Sequence, residues 1–239
     1  MNDREIDKLL TKAARVPDET NAMPLDRIIA SIKPSFRPVR PLPSTRKLVI
    51  ALFMVCITVS VAGAARAGFY GFAKMSLPTR VITFLTLSLL ILMADIEFVH
   101  DMIPGSLRRW SPAALLGICT AVLLSVFALL FRDPGMDHFI SAGIKCLLAG
   151  LLHAVPAGLL SWLVLRRGFA VRSISAGFAA GTLGGLAGVG LLEMHCPNFQ
   201  SAHVLLWHIV VVPLSAAVGA LTAYLVPKLE MLKKKGLRG

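Results

Sequence analysis

The chain has 239 residues, of which 56% are hydrophobic and only 16% charged, and its mean hydropathy is +0.72. Soluble domains are nearer half apolar and a quarter charged, so this composition points to a bilayer as the solvent for much of the chain and argues against a water-soluble enzyme. The formal charge is +12, from 25 Lys and Arg against 13 Asp and Glu, and the four cysteines show no short regular spacing. That pattern excludes a disulfide-rich secreted scaffold and a zinc-finger framework, and leaves nucleic acid or anionic lipid as the usual partners of a basic protein.

Residues 1–47 form the one sizeable water-soluble segment. Asn2 or Asp3 can cap a helix whose first turns carry Asp3, Glu5 and Asp7, the sign that a helix N-terminus favours. Ile6, Leu9, Leu10 and Ala13 then line one face, Lys8, Lys12 and Arg15 occupy the rest, and Pro17 stops the helix. A second short amphipathic piece presents Leu25, Ile28, Ile29 and Ile32 before Pro34. Helices this short are marginal alone in water. Their apolar faces therefore need cover, from a groove on a cytosolic partner or from the lipid surface and the spans. The four prolines of residues 34–44 favour extended polyproline geometry, a semi-stiff spacer between head and membrane.

Six apolar stretches follow, at 48–65, 81–99, 113–131, 140–165, 173–192 and 204–226. Each approaches the ~20 residues needed to cross the hydrocarbon, and none alternates as a barrel strand would. The expected fold is all-α: a polytopic membrane protein with six transmembrane helices, a short cytoplasmic N-terminal helical segment (1–47), a membrane domain (48–226) and a basic cytoplasmic tail (227–239). The first apolar run begins only after 47 polar residues, which argues against a secretory signal peptide.

Charge placement sets the orientation. With a cytoplasmic N-terminus, twenty Lys and Arg fall inside: ten in residues 1–47, Arg108 and Arg109, Arg166, Arg167 and Arg172, and five from Lys228 onward. Arg66, Lys74, Arg80 and Arg132 fall outside, with Lys145 inside the fourth stretch. This is a strong positive-inside bias, so both termini are expected in the cytoplasm and the +12 is read as topology rather than as nucleic-acid binding. The exterior loops are short, at about 15, 8 and 11 residues, so any stimulus sensed there must be small.

Polar residues within the spans supply candidate sites. Asp95 and Glu97 lie at the cytoplasmic end of the second stretch, either as part of an ion pathway or paired at the interface with Arg108, Arg109 or the head. Gly177, Gly181, Gly184, Gly185, Gly188 and Gly190 make the fifth stretch a close-packing helix. His153 and Pro156 read as a hydrogen-bonded core histidine and a kink. Topology places Cys146 and Cys196 at the same outer face, with His195, His203 and His138 beside them and His208 just over a turn inside the sixth stretch, whereas Cys56 and Cys119 read as apolar packing residues. Cysteine with histidine is a ligand set for soft and borderline metals. The same pair would also serve as a reversible or structural disulfide in an oxidising compartment, or simply pack.

With these features in place, the sequence resembles the NrsF-type membrane anti-sigma factors of proteobacteria. The resemblance is carried by the amphipathic N-terminal helix, the Pro-Val-Arg-Pro-Leu-Pro spacer at 38–43, the six spans, and His195-Cys196-Pro197 followed by Trp207-His208. Residues 18–33 lengthen the head relative to the family pattern. The resemblance implies a protein that holds an extracytoplasmic-function (ECF) sigma factor at the bacterial inner membrane, with Cys146 and Cys196 as the family's paired cysteines. The head face of Ile6, Leu9, Leu10 and Ala13 is then the sigma-binding surface, and Cys146 and Cys196 are the redox or metal sensor. His195, His203 and His208 are accessory ligands, with no cofactor required beyond a transient heavy-metal ion. The rival class is a small metal or proton-coupled transporter using Asp95, Glu97 and His153, although no inverted repeat is evident. No nucleophile-elbow, Walker, zincin or paired-carboxylate motif is present, so no catalytic residue is expected.

Overall fold

The computed structural model describes residues 43–101, 110–165 and 173–236. The proposed head face (Ile6, Leu9, Leu10, Ala13) and Arg108 and Arg109 lie outside these residues. Eight α-helices are described: α1 Thr45–Ala67, α2 Tyr70–Lys74, α3 Leu77–Asp101, α4 Pro112–Leu130, α5 Phe139–Leu165, α6 Ser173–His195, α7 Ser201–His203 and α8 Val211–Gly236. A π-helical segment, Val204–His208, joins α7 to α8. Six helical segments are long and apolar enough to cross a membrane: Thr45–Ala67, Leu77–His100, Pro112–Leu130, Phe139–Val164, Ile174–His195 and Ser201–Val226. The chain is an all-α, multi-pass membrane protein, with spans within a few residues of the apolar runs in the sequence.

Local signals explain the ends. Gly68 terminates α1 at φ 103°, a left-handed conformation that side chains resist, while its N–H bonds the Ala64 carbonyl at 2.7 Å. Ser111 caps α4 by accepting from the Ala114 N–H at 3.1 Å, with Pro112 at the first helical position, where its missing N–H costs nothing. Such caps matter because a helix end within or near lipid has no water to satisfy its free backbone groups.

Helix α6 is the centre of the bundle. Of the residues in its most apolar window 78% are buried, against 22–39% in the other five spans. Glycine makes this possible by letting backbones touch: a Cβ at Gly181 would collide with the Ser215 carbonyl of α8, and one at Gly188 would lie 2.6 Å from the Gly150 carbonyl of α5. Helix α1 is tied to the same helix by polar contacts. Ser60 Oγ lies 2.8 Å from the Ala187 carbonyl and 2.9 Å from that of Cys56, and the Cys56 thiol points to the Leu183 carbonyl at 3.8 Å. The outer helices leave Ile50, Met54, Leu85, Leu89, Leu148 and Leu152 exposed, the apolar face that lipid covers.

Span parity then sorts the ends. The Thr45 end of α1, the Asp101 end of α3, the Pro112 end of α4, the Leu165 end of α5, the Ser173 end of α6 and the Gly236 end of α8 share one side, and the α1–α3, α4–α5 and α6–α7 connections share the other. This second end is pinned. Ser201 N–H bonds the Asp133 carbonyl at 2.8 Å, and Phe131 stacks on Phe199 with ring centroids 5.6 Å apart.

Candidate functional site

At that pinned end, four donor atoms converge. Cys146, Cys196, His203 and His208 each present one ligand atom, and these atoms all lie within 4.8 Å of one another. Cys146 and Cys196 are free thiols with sulfurs 3.4 Å apart, and Cys196 Sγ is 3.6 Å from His203 Nε2. The His203 and His208 rings meet edge to face, centroids 5.1 Å apart. Cys146 is half-buried and the other three are buried.

Each group is positioned by a different element. Cys146 lies seven residues into α5, about 10 Å along its axis from the Phe139 end. Cys196 immediately follows α6, with its N–H bonded to the Leu192 carbonyl at 2.7 Å. His203 and His208 owe their meeting to the π-helical segment. In a regular α-helix, residues five apart are rotated about 140° from each other, whereas an i→i+5 register returns the second to nearly the same face. The widened turn also places Trp207 against Gly143, where a Cβ would strike the indole, and beside Phe139 at 5.6 Å.

A buried carboxylate completes the arrangement. Glu193, one turn before Cys196 on α6, accepts a 2.7 Å hydrogen bond from His208 Nδ1, and both side chains are buried. With Nδ1 committed as donor, His208 Nε2 is the ring atom left to face the thiols. It has no hydrogen-bond partner among the described residues, and neither has His203 Nδ1. The Cys196 thiol, beyond the end of its span, is pushed above its ordinary range by its hydrogen bond with Cys146 and then by burial, with His203 and His208 pulling the other way.

The structure brings together Cys146, Cys196, His203 and His208, but not His195. One residue before Cys196 on a helix, His195 projects about 100° around the axis. It bonds the Gly68 carbonyl through Nδ1 at 3.1 Å and sits beside Tyr70 at 5.9 Å, away from the thiols. The expectation that His195 joins the ligand set is corrected on this ground. His138 is exposed, in a left-handed conformation at φ 53°. Glu193 is a site residue that the sequence reading does not single out. Its signal was a charged residue at i−3 of a candidate ligand inside an apolar span.

Asp95, Glu97 and His153 form no such group among the described residues. His153 Nδ1 bonds its own helix at the Ala149 carbonyl, 2.9 Å away, and Glu97 is half-buried. Asp95 is fully buried, with neither oxygen hydrogen-bonded among the described residues.

The fold and this cluster define a class: a six-span membrane protein with a polar, metal-competent centre at one end of an otherwise apolar bundle. The family model described as "NrsF: Negative regulator of sigma F" matches residues 34–227, and the chain belongs to that family. Membership makes it a negative regulator of a sigma factor, with a sigma factor as its partner. No curated protein and no solved structure matches the chain.

Proposed function

We propose that the chain is an inner-membrane anti-sigma factor that sequesters an ECF sigma factor at the cytoplasmic face and releases it when a metal ion or oxidant reaches Cys146 and Cys196. In this reading the termini are cytoplasmic, the thiols face the periplasm, and the protein regulates rather than catalyses. The observation that carries it is the 3.4 Å approach of two free thiols at the end of the bundle opposite Thr45, where the head joins α1. Support for the orientation comes from the positive-inside bias. The head face of Ile6, Leu9, Leu10 and Ala13 would dock in a groove of the sigma factor, with Lys8, Lys12 and Arg15 pairing with acidic residues around it.

The signal has a short physical route. Glu193 and Cys196 stand at one end of α6, α6 holds α1 through the Ala187 and Leu183 carbonyls, and α1 follows the head and its proline spacer in sequence. A stimulus shifts sigma binding only by its preference for one arrangement over the other, and a tenfold change needs about 1.4 kcal/mol.

The test is a sigma-dependent reporter with the full-length protein in the membrane. Wild type is expected to respond to thiophilic metal or oxidant, and Cys146→Ser and Cys196→Ser to hold sigma without responding. Undiminished induction in both variants refutes the sensor. Co-capture of sigma by full-length protein is expected to fail with Leu9→Asp and Leu10→Asp; retained capture refutes the proposed face.

A further inference from the structure

Two thiols alone leave most of the cluster unexplained. Three buried polar side chains, His203, His208 and Glu193, sit beside them at full cost of burial, and one nitrogen of each imidazole lacks a hydrogen-bond partner among the described residues. His208 Nε2 is such an atom, set beside two sulfurs and the His203 Nε2 that meets Cys196, and a buried donor set of that kind calls for a ligand.

Tetrahedral geometry says which. Zinc–sulfur and zinc–nitrogen bonds of about 2.3 and 2.05 Å place two sulfur ligands about 3.8 Å apart and a sulfur and a nitrogen about 3.6 Å apart. The cluster has 3.4 Å between sulfurs and 3.6 Å between Cys196 Sγ and His203 Nε2, with every pair of donor atoms within 4.8 Å. Closing the longest edges asks for shifts of an ångström or so. Glu193 completes the pattern of a carboxylate bonded to the far nitrogen of a metal-bound histidine, which fixes ring and tautomer and makes the ligand more basic. Charge agrees as well. Two thiolates neutralise a divalent ion, and the Glu193 carboxylate keeps its own charge on the His208 N–H, whereas a hard cation would lack oxygen ligands among the four donors.

We infer that Cys146, Cys196, His203 and His208 form a four-coordinate centre for a borderline or soft divalent ion of the zinc type, with Glu193 as the positioning residue that aims His208 Nε2 at the metal. Binding exchanges two thiol protons for the ion and releases them to solvent. The inference rests on the reading of these thiols as the input, and extends it from a cysteine pair to a histidine-dependent metal centre whose two histidines are brought to one face by the π-helical segment.

Cobalt(II) titration of the reduced full-length protein in detergent tests it, followed by displacement with zinc(II). Wild type is expected to bind one equivalent with thiolate-to-cobalt charge transfer and the intense d–d bands of tetrahedral coordination. Cys146→Ser and Cys196→Ser should abolish the charge-transfer bands or halve them, and His203→Ala and His208→Gln should weaken binding and shift the d–d bands. His208→Gln retains a hydrogen-bond donor toward Glu193, so a folding defect of an alanine variant does not decide the result. Glu193→Gln should weaken zinc about 10–100-fold with the tetrahedral bands in place, and Glu193→Asp should recover part of that loss. A cobalt complex indifferent to both histidine variants overturns the four-ligand centre even if the reporter still depends on the thiols. A reporter indifferent to both cysteine variants, beside an intact histidine-dependent centre, retires the sensing role and leaves the metal site standing.

Discussion

Two carboxylates are fully buried in the described part of the bundle, at opposite ends. Glu193 bonds His208 at 2.7 Å and stands beside two thiols and a second histidine. Asp95 has neither oxygen hydrogen-bonded among the described residues and belongs to no such group of donor atoms there. Burial desolvates both, and the His208 hydrogen bond offsets that cost for Glu193. Only the first is built into a constellation of groups that share a ligand chemistry. Depth of burial alone therefore does not mark a site in this protein; convergence does.

The contrast can be broken by removing each carboxylate in turn. Glu193→Ala should lower unfolding stability in detergent by about 3 kcal/mol, since it strands a buried histidine, whereas Asp95→Asn should stay within about 1 kcal/mol of the native chain. Thermal unfolding by circular dichroism reads both. Equal losses would mean that Asp95 has a partner as strong as that of Glu193.

Packing gives the next largest effect. Gly181→Leu drives a side chain into the Ser215 backbone and should cost about 2 kcal/mol, separating α6 from α8. Leu152→Ala, on the lipid-facing side of α5 at 69% exposure, should fall within about 0.5 kcal/mol. The same unfolding experiment distinguishes them.

Acidity sharpens the comparison at the thiol end alone. The Cys196 thiol, raised by its hydrogen bond with Cys146 and by burial, stays protonated at neutral pH, so a metal must displace its proton. Zinc affinity should therefore rise with pH, by about tenfold per unit for each thiol proton displaced, and fall on acidification. Competition titrations between pH 6 and 8 check the slope. A flat profile would exclude thiolate ligation.

The smallest effect concerns coupling. Ser60→Ala removes the hydroxyl between α1 and the Ala187 carbonyl and should cost only about 0.6 kcal/mol. Zinc affinity should be unchanged, and the metal-dependent loss of sigma from purified membranes should shrink.

Much of this molecule was legible in the sequence, and the exceptions have physical causes. The spans could be read because ~20 apolar residues in a row have few alternatives to a membrane helix. The glycines of 177–190 correctly marked a tightly packed helix, though not that it is the one all others surround. Parity put Cys146 and Cys196 at one face. The identity of the histidines was harder. His195 adjoins Cys196 in sequence yet points away, because neighbours on a helix diverge. His203 and His208 are five apart, a spacing that a regular helix separates and only the π-helical turn unites. Glu193 hid for a related reason: its partner lies on another helix, 15 residues on.

The central claim is that the thiol end of the bundle faces the periplasm and the head faces the cytoplasm. Its most direct test replaces the four native cysteines by serine and installs one reporter at a time, Met136→Cys in the exposed α4–α5 connection or Ser35→Cys in the head. A membrane-impermeant maleimide applied to intact spheroplasts should label position 136 at once and position 35 only after lysis. Labelling of position 35 before lysis, with 136 protected, would contradict the account.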